Sequence, residues 1–102
     1  MKIDAHQHYW RVDRGDYGWL TPDKGIIYRD FLPADLAPIL KRHDIAKSIL
    51  VQAAPTEAET QFLLDIAKSD ESVAGVVGWT DFETPERIAE LAKDDLLVGL
   101  RP

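Results

Sequence analysis

Short apolar runs alternate with amphipathic segments along almost the whole chain, and this alternation restricts the fold more than any other feature. The runs occupy residues 3–5, 48–51, 73–77 and 96–100. They are almost uniformly apolar, which is typical of strands that are covered on both faces. Because helix-forming segments separate consecutive runs, the order β-α-β-α-β-α-β predicts an α/β fold with a parallel sheet and right-handed crossovers.

Three segments show the periodicity of amphipathic helices. The first contains Pro38, which makes its boundaries difficult to place, and its apolar stripe consists of Leu32, Leu36, Ile39 and Leu40. The second begins with Thr56 and Glu59, a T-x-x-E pattern that predicts a reciprocal capping box. The third begins with Thr84 and Pro85, which suit an N-cap and a first-turn proline.

A (β/α)8 barrel fits this order better than a dinucleotide-binding fold, because no strand is followed by a glycine-rich phosphate loop. Such a barrel typically needs about 250 residues, whereas the chain has 102. We therefore expect residues 1–102 to form one domain, the N-terminal half of a TIM barrel. Residues 9–31 show no clean period and are rich in aromatic side chains, so we expect a long active-site loop there.

Composition excludes several classes of function. The net charge is −6 and no basic cluster occurs, which argues against a nucleic-acid partner. No apolar run approaches the roughly 20 residues that span a bilayer, so no membrane partner is expected. The N-terminus does not resemble a signal peptide, and the absence of cysteine excludes disulfides and thiol chemistry. We expect a cytoplasmic protein.

In (β/α)8 barrels the active site lies at the C-terminal ends of the strands. Alternate side chains of a strand share a face, so Asp4, His6 and His8 are predicted to point the same way. Two adjacent imidazoles can bind one divalent metal and leave positions open for water and substrate. A pair of hydrogen-bonded structural histidines is the alternative. We favour the metal site, and with it a hydrolase.

The ends of the other strands carry further candidates for substrate binding. Arg101 can hold a substrate carboxylate or hydroxyl through its planar fork, or it can be an ordinary solvated charge. Gln52 can bind substrate or satisfy loop backbone. The aromatic residues near these positions can form pocket walls or part of the core; they are Trp79, Tyr9, Trp10 and Trp19. No serine or threonine has a base beside it, so a nucleophilic triad has no support.

The segment Ile3-Asp4-Ala5-His6-Gln7-His8-Tyr9-Trp10 resembles the opening of the amidohydrolase superfamily. More narrowly, it resembles the amidohydrolase-related branch that contains sugar lactonases and 2-pyrone-4,6-dicarboxylate hydrolase. Residues 51–57, 76–81 and 98–101 continue the resemblance at the ends of the second, third and fourth strands. The resemblance implies a (β/α)8 barrel that opens a sugar-acid lactone or a similar cyclic ester with an activated water.

The resemblance also implies roles for individual residues. His6 and His8 match histidines that bind the metal or the substrate carbonyl, and Arg101 matches an arginine that contacts substrate. One divalent ion (Zn, Mn or Fe) is implied, although some members of this branch are metal-independent. The branch's later histidines and its eighth-strand aspartate, the general base, have no counterpart among residues 1–102.

Two interpretations follow from the sequence. In the first, the chain is the N-terminal half of a lactonase-like hydrolase that acts on a small molecule together with the remaining half of the barrel. In the second, it is a non-catalytic fragment whose exposed strand edges pair with another chain, in a homo-oligomer or with a different partner. Because the general base is missing, we expect the isolated chain to be inactive under either interpretation.

Overall fold

The computed structural model describes all 102 residues and shows four parallel strands alternating with three helices. The elements are β1 (Lys2–Gln7), α1 (Pro33–Arg42), β2 (Ile45–Val51), α2 (Glu57–Ser69), β3 (Val73–Gly78), α3 (Pro85–Leu91) and β4 (Leu97–Leu100). The sheet order is β1-β2-β3-β4, and every neighbouring pair is parallel. The predicted α/β order is therefore confirmed. No helix combines the length and apolar character that a membrane crossing requires.

The boundaries of α1 and β2 refine the prediction. Leu32 is the N-cap of α1, and its backbone N–H donates to the Asp35 carboxylate at 2.9 Å. The helix continues through Pro38, although this residue has no N–H to bond the preceding turn. After the helix, Asp44 adopts a left-handed backbone conformation (φ 57°) that turns the chain into β2. β2 then begins at Ile45, three residues before the predicted start.

The main core lies between the sheet and α2. Its buried members are Tyr9, Leu50, Leu63, Leu64, Ala67, Val73 and Val76. Three of them belong to α2, whose Phe62 and Ile66 pack at the edge of the cluster. Of the two roles left open for Tyr9, pocket wall or core, the structure shows the second: its side chain is only 1% exposed and belongs to this core. Its position directly after β1 carries it onto the helix side of the sheet.

A close contact between α2 and the C-terminal end of β3 holds that end of the strand in place; the C-terminal end of each strand is called its mouth. A Cβ atom on Gly78 would lie 2.6 Å from Thr60 Cγ2, so only glycine fits without displacement. The Thr60 hydroxyl donates to the Trp79 carbonyl at 2.6 Å and accepts from the Trp79 N–H at 2.7 Å. The helix therefore holds the backbone of Trp79 directly.

The segment 9–31 is an ordered loop that contains two short 3-10 helices, Val12–Arg14 and Pro22–Ile27. An antiparallel bridge between Trp10 and Phe31 closes the loop at its base. Its middle packs against the connection between β2 and α2 through a second apolar cluster, whose buried members are Tyr17, Leu20 and Ala54. The loop thus lies over the same end of the sheet as the strand mouths.

Candidate functional site

His6 and His8 converge at the mouth of β1. Their Nε2 atoms are 3.1 Å apart, and the ring centroids are separated by 4.8 Å in an edge-to-face arrangement. His6 is exposed and His8 is half-buried. The predicted sharing of one face by the two imidazoles is therefore confirmed.

Asp4 does not join the pair. The register between β1 and β2 shifts between Asp4 and Gln7, so β1 carries a bulge there. The Asp4 carboxylate accepts from the backbone N–H of His6 at 3.0 Å, and no group of three His, Cys, Asp or Glu side chains gathers at metal-binding distance. Asp4 therefore does not add a third metal-binding side chain to the histidines, and its carboxylate satisfies local backbone instead.

The orientation of His8 is set by β2. Its Nδ1 lies 2.8 Å from the carbonyl oxygen of Val51. A carbonyl can only accept, so Nδ1 carries the proton and Nε2 presents a lone pair toward His6. Burial is the largest cause that lowers the pKa of His8, and the charges of His6 and Arg101 lower it further. His8 is therefore neutral at neutral pH, the form that can bind a metal ion or accept a hydrogen bond.

Gln52 and Arg101 form one unit across the mouths of β2 and β4. Arg101 donates from Nε to Gln52 Oε1 at 2.6 Å and from one terminal nitrogen to the Gln52 carbonyl at 2.7 Å. The Gln52 side chain is buried, and its Nε2 donates to the Ala54 carbonyl at 3.3 Å. The oxygen and the nitrogen of the Gln52 amide therefore each have a partner within the chain. The guanidinium keeps its other terminal nitrogen free of intramolecular bonds.

An open cavity of about 280 Å³ lies beside the histidine pair and is lined by His6, Gln7, His8, Trp10, Ile27 and Phe31. Trp10 is held by a hydrogen bond from its Nε1 to the Arg29 carbonyl at 2.8 Å. Trp79 lies outside this lining, with its ring 6.4 Å from that of Phe82. The structure thus brings Trp10 to the histidines, whereas Trp79 stands apart at the mouth of β3.

A buried cluster of polar side chains around Glu59 was not predicted from the sequence. Glu59 is completely buried and accepts from Arg14 at 2.8 Å and from the Tyr17 hydroxyl at 2.6 Å. Burial is also the largest cause that raises the pKa of Tyr17. Arg14 and Tyr17 are too far from Glu59 in the sequence for a spacing pattern to link them. The capping-box pattern also predicted a different role for Glu59.

The histidine pair fits a divalent metal ion. Two nitrogens at the usual Zn–N distance of about 2.0–2.1 Å, with an angle of about 95–110° at the metal, lie roughly 3.0–3.4 Å apart. The observed 3.1 Å separation of the two Nε2 atoms falls within that range. The Nδ1–H bond of His8 to a backbone carbonyl is the contact that orients most metal-binding histidines. The two Nε2 atoms are therefore spaced as two ligands of one such ion would be.

Parallel βα units with a histidine pair at the first strand mouth match the arrangement that the resemblance to the amidohydrolase superfamily implied. Residues 3–101 match the family model described as Amidohydrolase, and the chain belongs to that family.

Similar proteins agree with this assignment. The L-fucono-1,5-lactonase of Burkholderia ambifaria is 43% identical over 105 residues, covering 100% of this chain and 36% of that protein. The L-fucono-1,5-lactonase of Burkholderia multivorans is 42% identical over 93 residues, covering 88% of this chain and 31% of that protein. The chain spans about a third of the curated relatives it matches.

A solved structure also matches. An amidohydrolase from Burkholderia multivorans with bound zinc superimposes with a TM-score of 0.89 at 38% identity, covering 100% of this chain and 37% of that one. The likeness supports the half-barrel architecture predicted from the alternation of strands and helices. The comparisons do not favour the alternative of a non-catalytic association fragment.

Proposed function

We propose that the protein to which these residues belong opens a sugar-acid lactone, with L-fucono-1,5-lactone as the first candidate, by adding an activated water to the lactone carbonyl. The observation that carries the proposal is the convergence of two histidine Nε2 atoms at a strand mouth, in a chain 43% identical to an L-fucono-1,5-lactonase. The activity is proposed for the whole barrel, in which the other half supplies the general base.

His6 and His8 bind the carbonyl end of the substrate in this proposal, either directly or through a divalent ion (Zn, Mn or Fe). A bound ion supplies Lewis-acid polarisation of the carbonyl. The Val51 carbonyl fixes the rotamer of His8 and keeps its Nε2 lone pair available. Because the pKa of His8 is lowered, its imidazole stays neutral at neutral pH. A protonated imidazole could neither accept a hydrogen bond nor bind a metal ion.

Arg101, Trp10 and Trp79 are proposed to bind the remainder of the sugar acid. Gln52 anchors one side of the Arg101 guanidinium, so the free side can donate to a substrate hydroxyl or carboxylate. Trp10 forms an apolar wall of the 280 Å³ cavity, a volume near the lower end of about 300 Å³ for small-molecule sites. Trp79 lies outside this cavity and is proposed to contact substrate from the mouth of β3.

The test uses the protein expressed from the complete reading frame that contains residues 1–102. Lactone opening releases a proton, so L-fucono-1,5-lactone hydrolysis is followed by pH-stat titration above the spontaneous rate. A His6→Ala/His8→Ala double variant is expected to lose at least about 100-fold in rate, since catalytic groups of this kind contribute factors of about 10²–10⁴. Metal content is measured on the same samples.

His43 provides the matched control, because it is an exposed histidine at the end of α1 with no contact to the site. A His43→Ala variant should retain the rate and the metal content of the unmodified protein. Lactone opening no faster than the spontaneous reaction would contradict the proposed function. Stoichiometric metal that survives the double substitution would exclude the histidine pair as ligands.

A further inference from the structure

Glu59 is a carboxylate without access to solvent, and every group that contacts it is a hydrogen-bond donor. Arg14 donates at 2.8 Å and the Tyr17 hydroxyl at 2.6 Å, both to Oε1, while the backbone N–H of Ala53 donates to Oε2 at 2.8 Å. A buried carboxylate is tolerated only when its charge is paired and its lone pairs are occupied. All three donors are therefore needed to keep Glu59 in this place.

These donors come from two separate parts of the chain. Arg14 and Tyr17 belong to the 9–31 loop, whereas Ala53 is the second residue after the end of β2. A second carboxylate strengthens the same junction, because Asp16 pairs with Arg14 at 3.0 Å and accepts from the Thr56 hydroxyl. The loop is thus attached to the N-terminal turn of α2 through a continuous polar network.

The attached loop carries the aromatic wall of the cavity. The Trp10 ring lies 6.2 Å from that of Tyr17 and 5.2 Å from that of Trp19. Trp19 in turn donates from Nε1 to the Ala53 carbonyl at 2.8 Å, next to the N–H that Glu59 binds. Displacement of Tyr17 or of residue 53 would therefore move the surface on which Trp10 rests.

We propose that Glu59 is a positioning residue for substrate binding: it holds the 9–31 loop so that Trp10 forms the cavity wall beside His6 and His8. The inference rests on the proposed lactone hydrolysis. Glu59 does not line the cavity and makes no hydrogen bond to either histidine. Its loss should therefore weaken binding of the substrate more than it slows the chemical step, as expected for interactions shared by the ground state and the transition state.

The test compares Glu59→Gln with Glu57→Gln in the protein expressed from the complete reading frame. In Glu59→Gln an amide NH2 replaces one carboxylate oxygen and meets a donor, so one contact becomes donor against donor. Glu57 lies on the same turn of α2 but pairs with Arg87 and contacts no residue of the loop. We expect Glu59→Gln to raise KM for L-fucono-1,5-lactone about tenfold while kcat changes less than about threefold. Glu57→Gln should change neither by more than about twofold.

Hydrogen exchange gives a readout that does not depend on the reaction. Amides around Tyr17 should exchange at least about tenfold faster in Glu59→Gln than in the unmodified protein or in Glu57→Gln. If Glu59→Gln fails to fold, Tyr17→Phe keeps the buried ring, removes one donor, and should shift KM and exchange in the same direction.

Unchanged loop exchange in Glu59→Gln, or a loss of kcat with KM intact, overturns the proposal. Equal effects of Glu59→Gln and Glu57→Gln overturn it as well, because general destabilisation of α2 would then explain both. If the unmodified protein opens no lactone, the proposed reaction is wrong, and the exchange comparison still decides whether Glu59 holds the loop.

Discussion

The contact between Gln52 and Arg101 gives the most direct test of how the strand mouths are organised. Gln52→Ala removes the Oε1 that accepts from Arg101 Nε at 2.6 Å, but it leaves the backbone carbonyl that accepts at 2.7 Å. Hydrogen bonds to charged groups contribute about 1.5–3 kcal/mol. Because Arg101 is exposed and water can replace the lost acceptor, we expect the free energy of unfolding to fall by about 1.5 kcal/mol from this bond.

A double-mutant cycle with Arg101→Ala isolates that bond. Urea denaturation of the unmodified protein, the two single variants and the double variant should give a coupling energy of about 1–1.5 kcal/mol, within the range for residues in direct contact. Gln61→Ala is the matched control, since Gln61 is an exposed glutamine whose side chain hydrogen-bonds only to Asp65 on the same helix. Its effect on stability should stay within about 0.5 kcal/mol.

Additive effects in the cycle would refute the reasoning, because they would mean that Gln52 does not hold Arg101. Kinetics separate the remaining alternative. If Gln52→Ala raises KM for the lactone even in the Arg101→Ala background, Gln52 contacts substrate directly, as the sequence-based prediction has it. If the KM effect disappears in that background, Gln52 acts only through Arg101.

Two further predictions concern stability. Burial raises the pKa of Tyr9 to about 12, above its ordinary value of about 10. The contribution of the neutral phenol to stability is therefore complete below about pH 10 and is lost as the pH rises through 12. Urea unfolding between pH 8 and 12 should therefore show a smaller alkaline loss for Tyr9→Phe, and equal losses would contradict the assignment. Gly78→Ala should reduce the free energy of unfolding by about 1–3 kcal/mol, because the new Cβ meets Thr60 at 2.6 Å. Gly18→Ala is the control, because a Cβ added there would have no atom within 4 Å. Both variants are compared by thermal unfolding, and equal effects of the two substitutions would exclude the clash.

The order of elements and the location of the site could be predicted because both depend on local patterns. Apolar runs and helical periodicity mark strands and helices, and the ends of parallel strands necessarily lie at one edge of the sheet. His6 and His8 could be paired from their spacing alone. The half-barrel architecture followed from the same alternation and is supported by the match to a solved amidohydrolase.

Contacts between distant segments could not be predicted. The T-x-x-E pattern is only half right: Thr56 Oγ1 accepts from the Glu59 N–H at 3.1 Å, but the Glu59 carboxylate turns away toward donors of the loop. Thr84 is the N-cap of α3 and Pro85 lies in its first turn, as predicted, but the Thr84 hydroxyl donates to Asp81 at 2.8 Å and makes no cap hydrogen bond to the helix. In each case a tertiary or local polar partner competes with the capping geometry, and sequence spacing carries no information about that competition.

The sheet order has a consequence for how the chain folds. Since β1, β2, β3 and β4 pair strictly in chain order, each βα unit can dock onto the edge left by the unit before it. The first crossover, residues 8–44, is the longest of the three and has the highest entropic cost of closure. Folding should therefore begin among β2, β3 and β4, whose crossovers at residues 52–72 and 79–96 are shorter, and β1 should join later. The histidine pair would then be brought to its place only when the long crossover closes, late in assembly.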